Sequence, residues 1–361
     1  MDRRTMLAAG LAGVVERGGS PFAAYEMPLE TAPHERTLMQ WPVSLQVYDE
    51  AELAGVQQTI ARIANAISRF EPVAMMVGQD QAAGAREALG PQVALWDIPT
   101  DDLWCRDAGP TFVKSGAGAL AVAHIQFNGW GGKQVHVNDG QIAKRVAARL
   151  GVPLLPTGLV GEGGGVEHDG VGTLLATASC WANPNRNRLT KEVVGQRLVR
   201  ALGGKQIIWV PGVRGEDITD YHIDALARFV GPGRVLIQLP DKVTVGDPFS
   251  RAAYEAYEIL KRATDAQGRK LEIIVIPEPF KTRWRNPDFL ASYVNFYCCN
   301  GAVISAEFGD DRTDQKAHEV LTALYPKREI VSLNVDALGE AGGGIHCATQ
   351  QQPRAGNGVR L

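Results

Sequence analysis

The sequence has few cysteines, and they are not regularly spaced. Five cysteines occur among 361 residues, an odd number, and no Cys-x-x-Cys pair is present. Disulfide frameworks hold cysteines in pairs, and structural zinc sites commonly draw their ligands from such motifs. We therefore predict reduced thiols without a disulfide scaffold, and we expect neither a metal ion nor another cofactor.

An excess of charge of either sign is also absent. Lys and Arg total 37 against 40 for Asp and Glu, which gives a net charge of -3. A basic field attracts nucleic acid and a polybasic run attracts membranes, so we expect neither as a partner. A small molecule is the favoured partner, and the sequence leaves a homo-oligomer open.

The sequence has no fingerprint of a phosphate-binding or dinucleotide-binding loop. The glycine-rich segment at 161–165 lacks the Lys-Ser/Thr ending of a phosphate loop. There is also no Pro/Ser-rich linker, no low-complexity tract and no exact repeat. A chain of this length can bury a large core, so we predict one catalytic domain over residues 28–361.

The N-terminal segment 1–27 resembles a twin-arginine export leader. Arg3 and Arg4 precede a mildly apolar run, which Glu16 and Arg17 cut short before it could span a bilayer as a helix. A working leader predicts export to the periplasm, and its failure predicts a cytoplasmic protein. We treat residues 1–27 as a leader or a disordered extension.

Helical and strand patterns alternate along the rest of the chain. Amphipathic helices are predicted at 49–69, 138–150, 189–202, 249–266 and 313–324. Buried strands are predicted at 72–77, 93–98, 119–125, 173–179, 206–210, 234–239, 272–276, 302–307 and 329–334. The fold class is therefore predicted to be α/β.

A glycine-rich stretch near the C-terminus holds the candidate nucleophile. Gly342, Gly343 and Gly344 precede Ile345-His346-Cys347, so a flat substrate could approach the main chain and meet the sulfur of Cys347. A free thiol titrates near ~8.5, so this interpretation needs a base or a cation supplied by folding. The alternative is a small buried thiol beside a glycine turn.

A second polar cluster follows the strand predicted at 93–98. Trp104 and Asp107 lie in a loop that ends in Gly109-Pro110, at the carboxyl end of that strand, where α/β proteins often place their sites. Both side chains could face a ligand. The alternative is that Arg106 pairs with a carboxylate and only pins the loop.

Two further clusters add acids and a histidine. Glu162 is flanked by glycines, which suits a carboxylate that binds a planar cation, although a surface Glu in a glycine hairpin is the alternative. His222 and Asp224 are two residues apart, so in an extended segment they would share one face. They could act as a general acid/base and a second cation acceptor, or His222 could be structural.

Together these side chains suit a guanidine substrate better than a peptide bond. Carboxylates on either side would fix the planar cation while a thiolate attacks its carbon. A protonated His would help ammonia depart, and the covalent thiouronium would then be hydrolysed by water that the same His activates.

The motifs resemble those of the agmatine deiminase family, which is grouped with bacterial peptidylarginine deiminases. They are the segments 104–110, 127–131, 162–164, 185–187, 219–224, 292–297 and 342–353. The resemblance implies the pentein fold, five ββαβ-type modules around a pseudo-fivefold axis with a central channel. It also implies hydrolysis of agmatine to N-carbamoylputrescine and ammonia, a step toward putrescine, without cofactor or metal.

The resemblance also implies roles for individual residues. It makes Cys347 the nucleophile and His222 the acid/base, and it places Trp104 near the far end of the substrate. The guanidinium-binding acids become Glu162, Asp224 and Asp107.

The sequence departs from the family pattern at two places beside the chemistry. Tyr221 replaces a usual Gly before the His, and an Asn common before Ile-His-Cys is missing. An arginine or peptidyl-arginine deiminase and a non-catalytic binding pentein therefore remain as alternatives.

Overall fold

The part of the chain that the computed structural model describes begins inside the predicted leader. It comprises residue 22, residues 25–284, residue 286 and residues 289–356, so most of the twin-arginine-like segment lies outside it. Phe22 is buried, Tyr25 and Glu26 pair with the strand at 111–115, and the Met27 N–H donates to the Leu202 carbonyl at 2.9 Å. The fold thus starts before the predicted boundary at residue 28, because these residues supply packing and strand pairing.

Helices and strands alternate as the sequence predicts, and the α/β class is confirmed. The strands are Tyr25–Glu26 (β1), His34–Gln40 (β2), Val73–Val77 (β3), Val93–Asp97 (β4), Thr111–Ser115 (β5), Leu120–Gln126 (β6), Leu154–Val160 (β7), Val166–His168 (β8), Thr173–Thr177 (β9), Gln206–Val210 (β10), Ala227–Gly231 (β11), Arg234–Leu239 (β12), Glu272–Pro277 (β13), Tyr297–Cys299 (β14), Ala302–Glu307 (β15), Glu329–Asn334 (β16) and Gln350–Pro353 (β17).

The α-helices are Glu50–Ile67 (α1), Ala82–Ala88 (α2), Cys105–Ala108 (α3), Gly129–Gly132 (α4), Ile142–Leu150 (α5), Ala178–Trp181 (α6), Lys191–Leu202 (α7), Pro248–Arg262 (α8), Asp311–Leu324 (α9) and Asp336–Glu340 (α10). None of the helices in this described part is both long and apolar enough to cross a membrane.

Capping side chains explain where the long helices begin. Asp49 accepts from the backbone N–H groups of Ala51 and Glu52, and the Glu52 carboxylate accepts from the Asp49 N–H, a complete capping box for α1. Asp310 caps α9, which therefore begins at Asp311, two residues before the predicted start at 313. The sequence pattern placed the helices correctly, whereas their first residues depended on which side chain satisfies the free N–H groups.

Five sheets share one strand arrangement. Their orders are β17-β2-β3-β4, β1-β5-β6-β7, β10-β9-β8, β11-β12-β13 and β14-β15-β16. Each contains a strand with an antiparallel neighbour on one side and a parallel neighbour on the other: β2, β6, β9, β12 and β15. The last strand pairs with the first sheet, with Gln350 opposite Leu38. Two segments far apart in the sequence, β2 and β17, are therefore joined in one sheet.

The candidate site residues come from connections between these strands. Asp107 lies on α3 after β4, and Glu162 follows β7. His222 and Asp224 lie between β10 and β11, and Cys347 lies just before β17. All five side chains are buried, so the sheets bring segments distant in sequence to one interior region.

Candidate active site

Cys347 lies in a close-packed turn rather than beside open glycine backbone. A Cβ on Gly343 would lie 2.1 Å from the Trp104 ring, and one on Gly344 would lie 2.5 Å from Asn295 Oδ1. The glycines thus let Trp104 and Asn295 approach the backbone. The sequence interpretation, in which they leave room for a substrate, is not supported at these two positions.

Asn295 makes three hydrogen bonds to Cys347 and the residue before it. Its Nδ2 donates to Cys347 Sγ at 3.2 Å, and its Oδ1 accepts from the N–H groups of His346 at 3.0 Å and Cys347 at 3.3 Å. Burial raises the pKa of the Cys347 thiol well above its ordinary value, and the charges of Asp224 and Asp107 raise it further. The thiol is therefore protonated unless positive charge arrives nearby.

His222 lies between two carboxylates. Its Nε2 is 3.3 Å from Glu162 Oε2, and its Nδ1 is 3.6 Å from Asp107 Oδ1 without a hydrogen bond. Burial disfavours the charged ring, but Asp107, the Cys180 sulfur and Glu162 outweigh burial and raise the pKa of His222 well above its ordinary value. The ring is therefore an imidazolium at neutral pH, and its Nδ1 has no hydrogen-bond partner.

Glu162 already binds a planar cation, and that cation belongs to the protein. Its two oxygens lie 2.9 and 3.1 Å from Arg186 Nε, and Arg186 also donates to Asp220. Burial opposes its ionisation, but the hydrogen bond from His222 and the Arg186 guanidinium lower the pKa of Glu162. Glu162 thus orients His222 and anchors Arg186.

Cys180 completes a group of three potential metal ligands with Glu162 and His222. One ligand atom from each lies within 4.8 Å of the others. The Cys180 S–H donates to Glu162 at 3.3 Å, and burial raises the pKa of this thiol to about 12. Because Arg186 and the His222 imidazolium both contact this carboxylate, a metal cation here would be repelled.

Asp107 and Asp224 flank the thiol with different surroundings. Asp107 accepts from the Gly164 N–H at 3.1 Å and from Trp130 Nε1 at 3.0 Å, and burial raises its pKa to about 6. Asp224 Oδ2 lies 3.7 Å from Cys347 Sγ, while Oδ1 is buried without a partner. Burial would raise the pKa of Asp224, but the hydrogen bond and charge of His346 outweigh it and lower that pKa.

A cavity of about 1010 Å³ reaches these groups. His222, Asp224 and Cys347 line its inner end, and five acids line the remainder: Glu216, Asp217, Asp247, Glu278 and Glu340. Among the residues lining this cavity in the described part of the chain, Lys133 adds a positive charge to that of the His222 ring. Trp104, Glu162 and Asp107 do not belong to this lining.

The local conformation of the His222 segment differs from the sequence prediction. Residues Ile223–Ala225 form a 3₁₀ turn rather than an extended segment. Asp220 and Tyr221, just before it, have positive φ values of 58° and 70°. His222 and Asp224 still reach the same cavity, because the turn directs both side chains inward, and not because of strand alternation.

Three supporting residues were not assigned roles from the sequence. Asn295 and His346 contact the Cys347 region, and Arg186 joins Glu162 to Asp220. Arg186 lies in the segment 185–187 that resembles the family, but no partner could be assigned to it from the sequence. His346 stands next to Cys347 in the sequence, which was the available signal. Asn295 is 52 positions away, so no local pattern linked it to Cys347.

An α/β fold that buries a thiol, an imidazolium and three carboxylates at one interior site is typical of enzymes that act on cationic C–N groups through a cysteine. Comparison with protein families agrees. The profile of the Porphyromonas-type peptidyl-arginine deiminase family matches residues 26–353, and the chain belongs to this family.

Individual relatives extend this similarity over nearly the whole chain. An agmatine deiminase of Medicago truncatula is 35% identical, covering 92% of this chain and 97% of its own length. One of Stutzerimonas stutzeri is 36% identical, covering 91% and 95%. The solved structure of the Enterococcus faecalis agmatine deiminase has a TM-score of 0.87 and 30% identity, covering 94% and 98%.

Proposed function

We propose that this protein is an agmatine deiminase, which hydrolyses agmatine to N-carbamoylputrescine and ammonia. The single observation that carries the proposal is the inner end of the cavity, where Cys347, His222 and Asp224 meet. There, His222 Nδ1 and Asp224 Oδ1 are buried without hydrogen-bond partners. Buried polar atoms are rarely left unsatisfied, so both await groups of a substrate.

In the first step the guanidinium binds between acids and the sulfur attacks its carbon. Asp224 and Asp107 pair with the guanidinium nitrogens, since Asp224 Oδ2 lies 3.7 Å from the sulfur and Asp107 Oδ1 lies 3.6 Å from His222 Nδ1. The arriving cation offsets these negative charges and lowers the pKa of Cys347. The Cys347 S–H then gives up its proton to solvent through the cavity, and the thiolate so formed attacks the guanidinium carbon.

In the second step the C–N bond breaks. The electron pair of the new C–S bond comes from sulfur, and the leaving nitrogen takes a proton from His222 Nδ1 and departs as ammonia. Glu162 accepts from Nε2 at 3.3 Å and holds the ring with Nδ1 toward the cavity. The protein is then linked to the substrate as a thiouronium.

Hydrolysis of the thiouronium completes the cycle. His222, now neutral, takes a proton from water, whose oxygen adds to the same carbon. The C–S bond breaks, sulfur recovers its electron pair, and the urea product leaves.

The acid-lined cavity supports agmatine over arginine as the substrate. Agmatine ends in an ammonium group, whereas arginine also carries a carboxylate. Burial and the neighbouring Asp247 and Asp241 raise the pKa of Glu278, one of the lining acids. Acids in such proximity attract a cationic tail and repel a carboxylate.

A substrate panel with a nucleophile variant tests the proposal. We expect ammonia release from agmatine, little from free arginine or a peptidyl-arginine, and loss of turnover in Cys347→Ser with substrate binding retained. Citrulline from arginine substrates would favour the other deiminases. A protein whose folded state releases no ammonia from any of them and resists thiol labelling would be a binding module.

We also propose the finer arrangement and setting that the family resemblance implies. The repeated strand arrangement of the five sheets supports a pentein with five modules about a pseudo-fivefold axis. We propose one catalytic domain, which includes β1 as well as residues 28–361, acting in putrescine formation and able to form a homo-oligomer. Export through the arginine-pair segment stays a proposal, with a cytoplasmic location as the alternative.

A further inference from the structure

His346 lies between two buried carboxylates. Its Nδ1 is 2.7 Å from Asp224 Oδ2, and its Nε2 is 2.8 Å from Glu30 Oε2, while Glu167 Oε1 lies 4.0 Å from Nε2. The side chain is 2% exposed. Its backbone adjoins Cys347, so it connects the thiol, Asp224 and the N-terminal Glu30.

The two short contacts define the charge of the His346 ring. A carboxylate only accepts hydrogen bonds when ionised, so each ring nitrogen must donate. A ring with both nitrogens protonated is an imidazolium. The alternative, a protonated Glu30, is disfavoured because Glu30 Oε2 also accepts from Arg228 Nη2 at 2.8 Å and Arg106 Nη2 at 3.2 Å.

The Glu30 carboxylate is consequently a fixed negative charge. Burial opposes its ionisation, but Arg228, His346 and Arg106 lower the pKa of Glu30 well below its ordinary value. Its Oε1 accepts from the Cys298 N–H at 2.9 Å. Both oxygens are thus held by donors, which leaves Glu30 little freedom to rotate.

The series of hydrogen bonds that begins at Glu30 and passes through His346 ends on one oxygen of Asp224. Oδ2 takes the hydrogen bond from His346 and faces Cys347 Sγ. Oδ1 has no partner although it is buried, and Asp224 borders the cavity. The hydrogen bond to Oδ2 restricts rotation of the Asp224 carboxylate, so Oδ1 keeps its position and does not reach a different donor.

We propose that His346 is a positioning residue: as an imidazolium held by Glu30, it fixes Asp224 so that Oδ1 is presented to the substrate guanidinium. This inference rests on the proposed role of Asp224 in binding that cation. His346 is not itself among the residues that line the cavity, and among the contacts described its side chain bonds Asp224 and Glu30 rather than the reacting sulfur. Its contribution passes through Asp224.

Two substitutions separate the two nitrogens. The amide nitrogen of Asn falls near the position of Nδ1, and that of Gln falls near Nε2. His346→Asn therefore keeps a donor toward Asp224, whereas His346→Gln keeps one toward Glu30. A merely structural histidine gives no reason for Asn to preserve cation binding better than Gln.

The readout is the labelling of Cys347 by two matched reagents in the full chain. Chloroacetamidine is cationic and resembles the guanidinium, while chloroacetamide is neutral and carries the same leaving group. The ratio of their rates measures cation binding at the thiol. We expect this ratio to fall about tenfold or more in His346→Gln, the size expected for losing a hydrogen bond to a charged group, and to stay near the parent value in His346→Asn.

His136→Gln is a control for loss of a histidine hydrogen bond that does not involve Glu30. The His136 ring is half-buried, its Nδ1 lies 2.9 Å from the Gln134 carbonyl oxygen, and it is not among the residues that line the cavity. It should lower stability without changing the labelling ratio. Agmatine kinetics provide a second check, with KM rising more in His346→Gln than in His346→Asn.

Several results would overturn the inference. One is an equal fall of the amidine-to-amide labelling ratio in both His346 variants. The others are an unchanged labelling ratio in His346→Gln and a labelling ratio near one in the parent protein. If His346→Gln does not fold, His346→Asn and ¹⁵N NMR of the parent still decide, because a neutral His346 ring at neutral pH contradicts the proposal. Failure of the proposed function is distinguishable: the parent would show the amidine preference yet release no ammonia from agmatine.

Discussion

At the scale of single residues, burial and neighbouring charges shift the pKa values of the site residues away from their ordinary values. Burial raises the pKa values of Asp107 and Cys347, whereas neighbouring charges raise that of His222 and lower that of Glu162. Groups whose pKa values are pushed apart can exchange protons with a substrate in a defined direction. In the proposed mechanism the acid is His222, and Asp107 and Cys347 are the groups that await the substrate cation.

Asp107 makes stability and binding depend on pH in opposite directions. Its pKa in the folded protein is about 6 instead of 3.8, so ionisation is disfavoured on folding. This contribution to stability is present below the unfolded pKa and is lost as the pH rises through the folded pKa. Binding of a cation strengthens over the same interval, because it requires the ionised form.

Asp107→Asn should remove this dependence. The pKa difference corresponds to roughly 3 kcal/mol of unfolding free energy between acidic and neutral pH. Urea unfolding from pH 4 to pH 7 in both proteins measures it, with the exposed Asp80→Asn as control. Parallel pH curves for Asp107→Asn and the parent would contradict the assignment.

At the scale of elements, the site depends on turns that are braced by buried charge. Arg186, before α7, connects Glu162 after β7 to Asp220 before the 3₁₀ turn. Asp220 in turn accepts from the Gly215 N–H at 2.9 Å, within the same loop. One guanidinium therefore joins the segments that carry Glu162 and His222.

Glu162→Gln should cause a severe defect in both folding and turnover. It leaves Arg186 with an incomplete buried pair, which costs on the order of 3–5 kcal/mol. It also frees His222, so ammonia release should fall about 10²-fold or more. Urea unfolding and agmatine turnover below the unfolding transition measure the two effects, with the exposed Glu192→Gln as control. Parent-like turnover would show that Glu162 does not orient the acid.

Glu278, at the end of β13, should act on the substrate tail alone. Glu278→Gln removes one negative charge from the cavity lining without touching the thiol. We expect KM for agmatine to rise about two- to fivefold with kcat nearly unchanged, the size of an exposed charge pair. Glu272→Gln, at the start of β13 and paired with Arg234, is the control. A fall in kcat alone would place Glu278 elsewhere in the mechanism.

At the scale of the whole molecule, β2 and β17, which are far apart in the sequence, are packed together beside the site. β17 follows Cys347 closely and pairs with β2, and Leu38 on β2 is fully buried. Glu30 adds a buried charge from the N-terminal side. Loss of this closure should therefore affect the entire fold and the position of Cys347.

Leu38→Ala tests whether the chain unfolds as one unit. Truncating a buried Leu costs about 2–5 kcal/mol. In a single domain, circular dichroism and tryptophan fluorescence should report the same lowered transition. Leu45→Ala, at an exposed position, should leave it in place. Two separate transitions would argue against one catalytic domain.

Much of this organisation was accessible from the sequence because it depends on local pattern. Apolar residues at helical spacing predicted α1, and α/β alternation followed from the short buried runs. Cys347, His222, Glu162, Asp224 and Asp107 were recognised by their glycine-rich or acidic surroundings. The structure brings these five side chains together.

Only the tertiary structure decided what each of these groups contacts. The partner of Glu162 is Arg186, the support of Cys347 is Asn295, and the carboxylate behind His346 is Glu30, which is 316 positions away. A local pattern reports spacing along the chain and carries no information about such distant contacts. Burial and charge pairing, and hence the pKa values, arise from those contacts, so they exist only once the five sheets have brought the segments together.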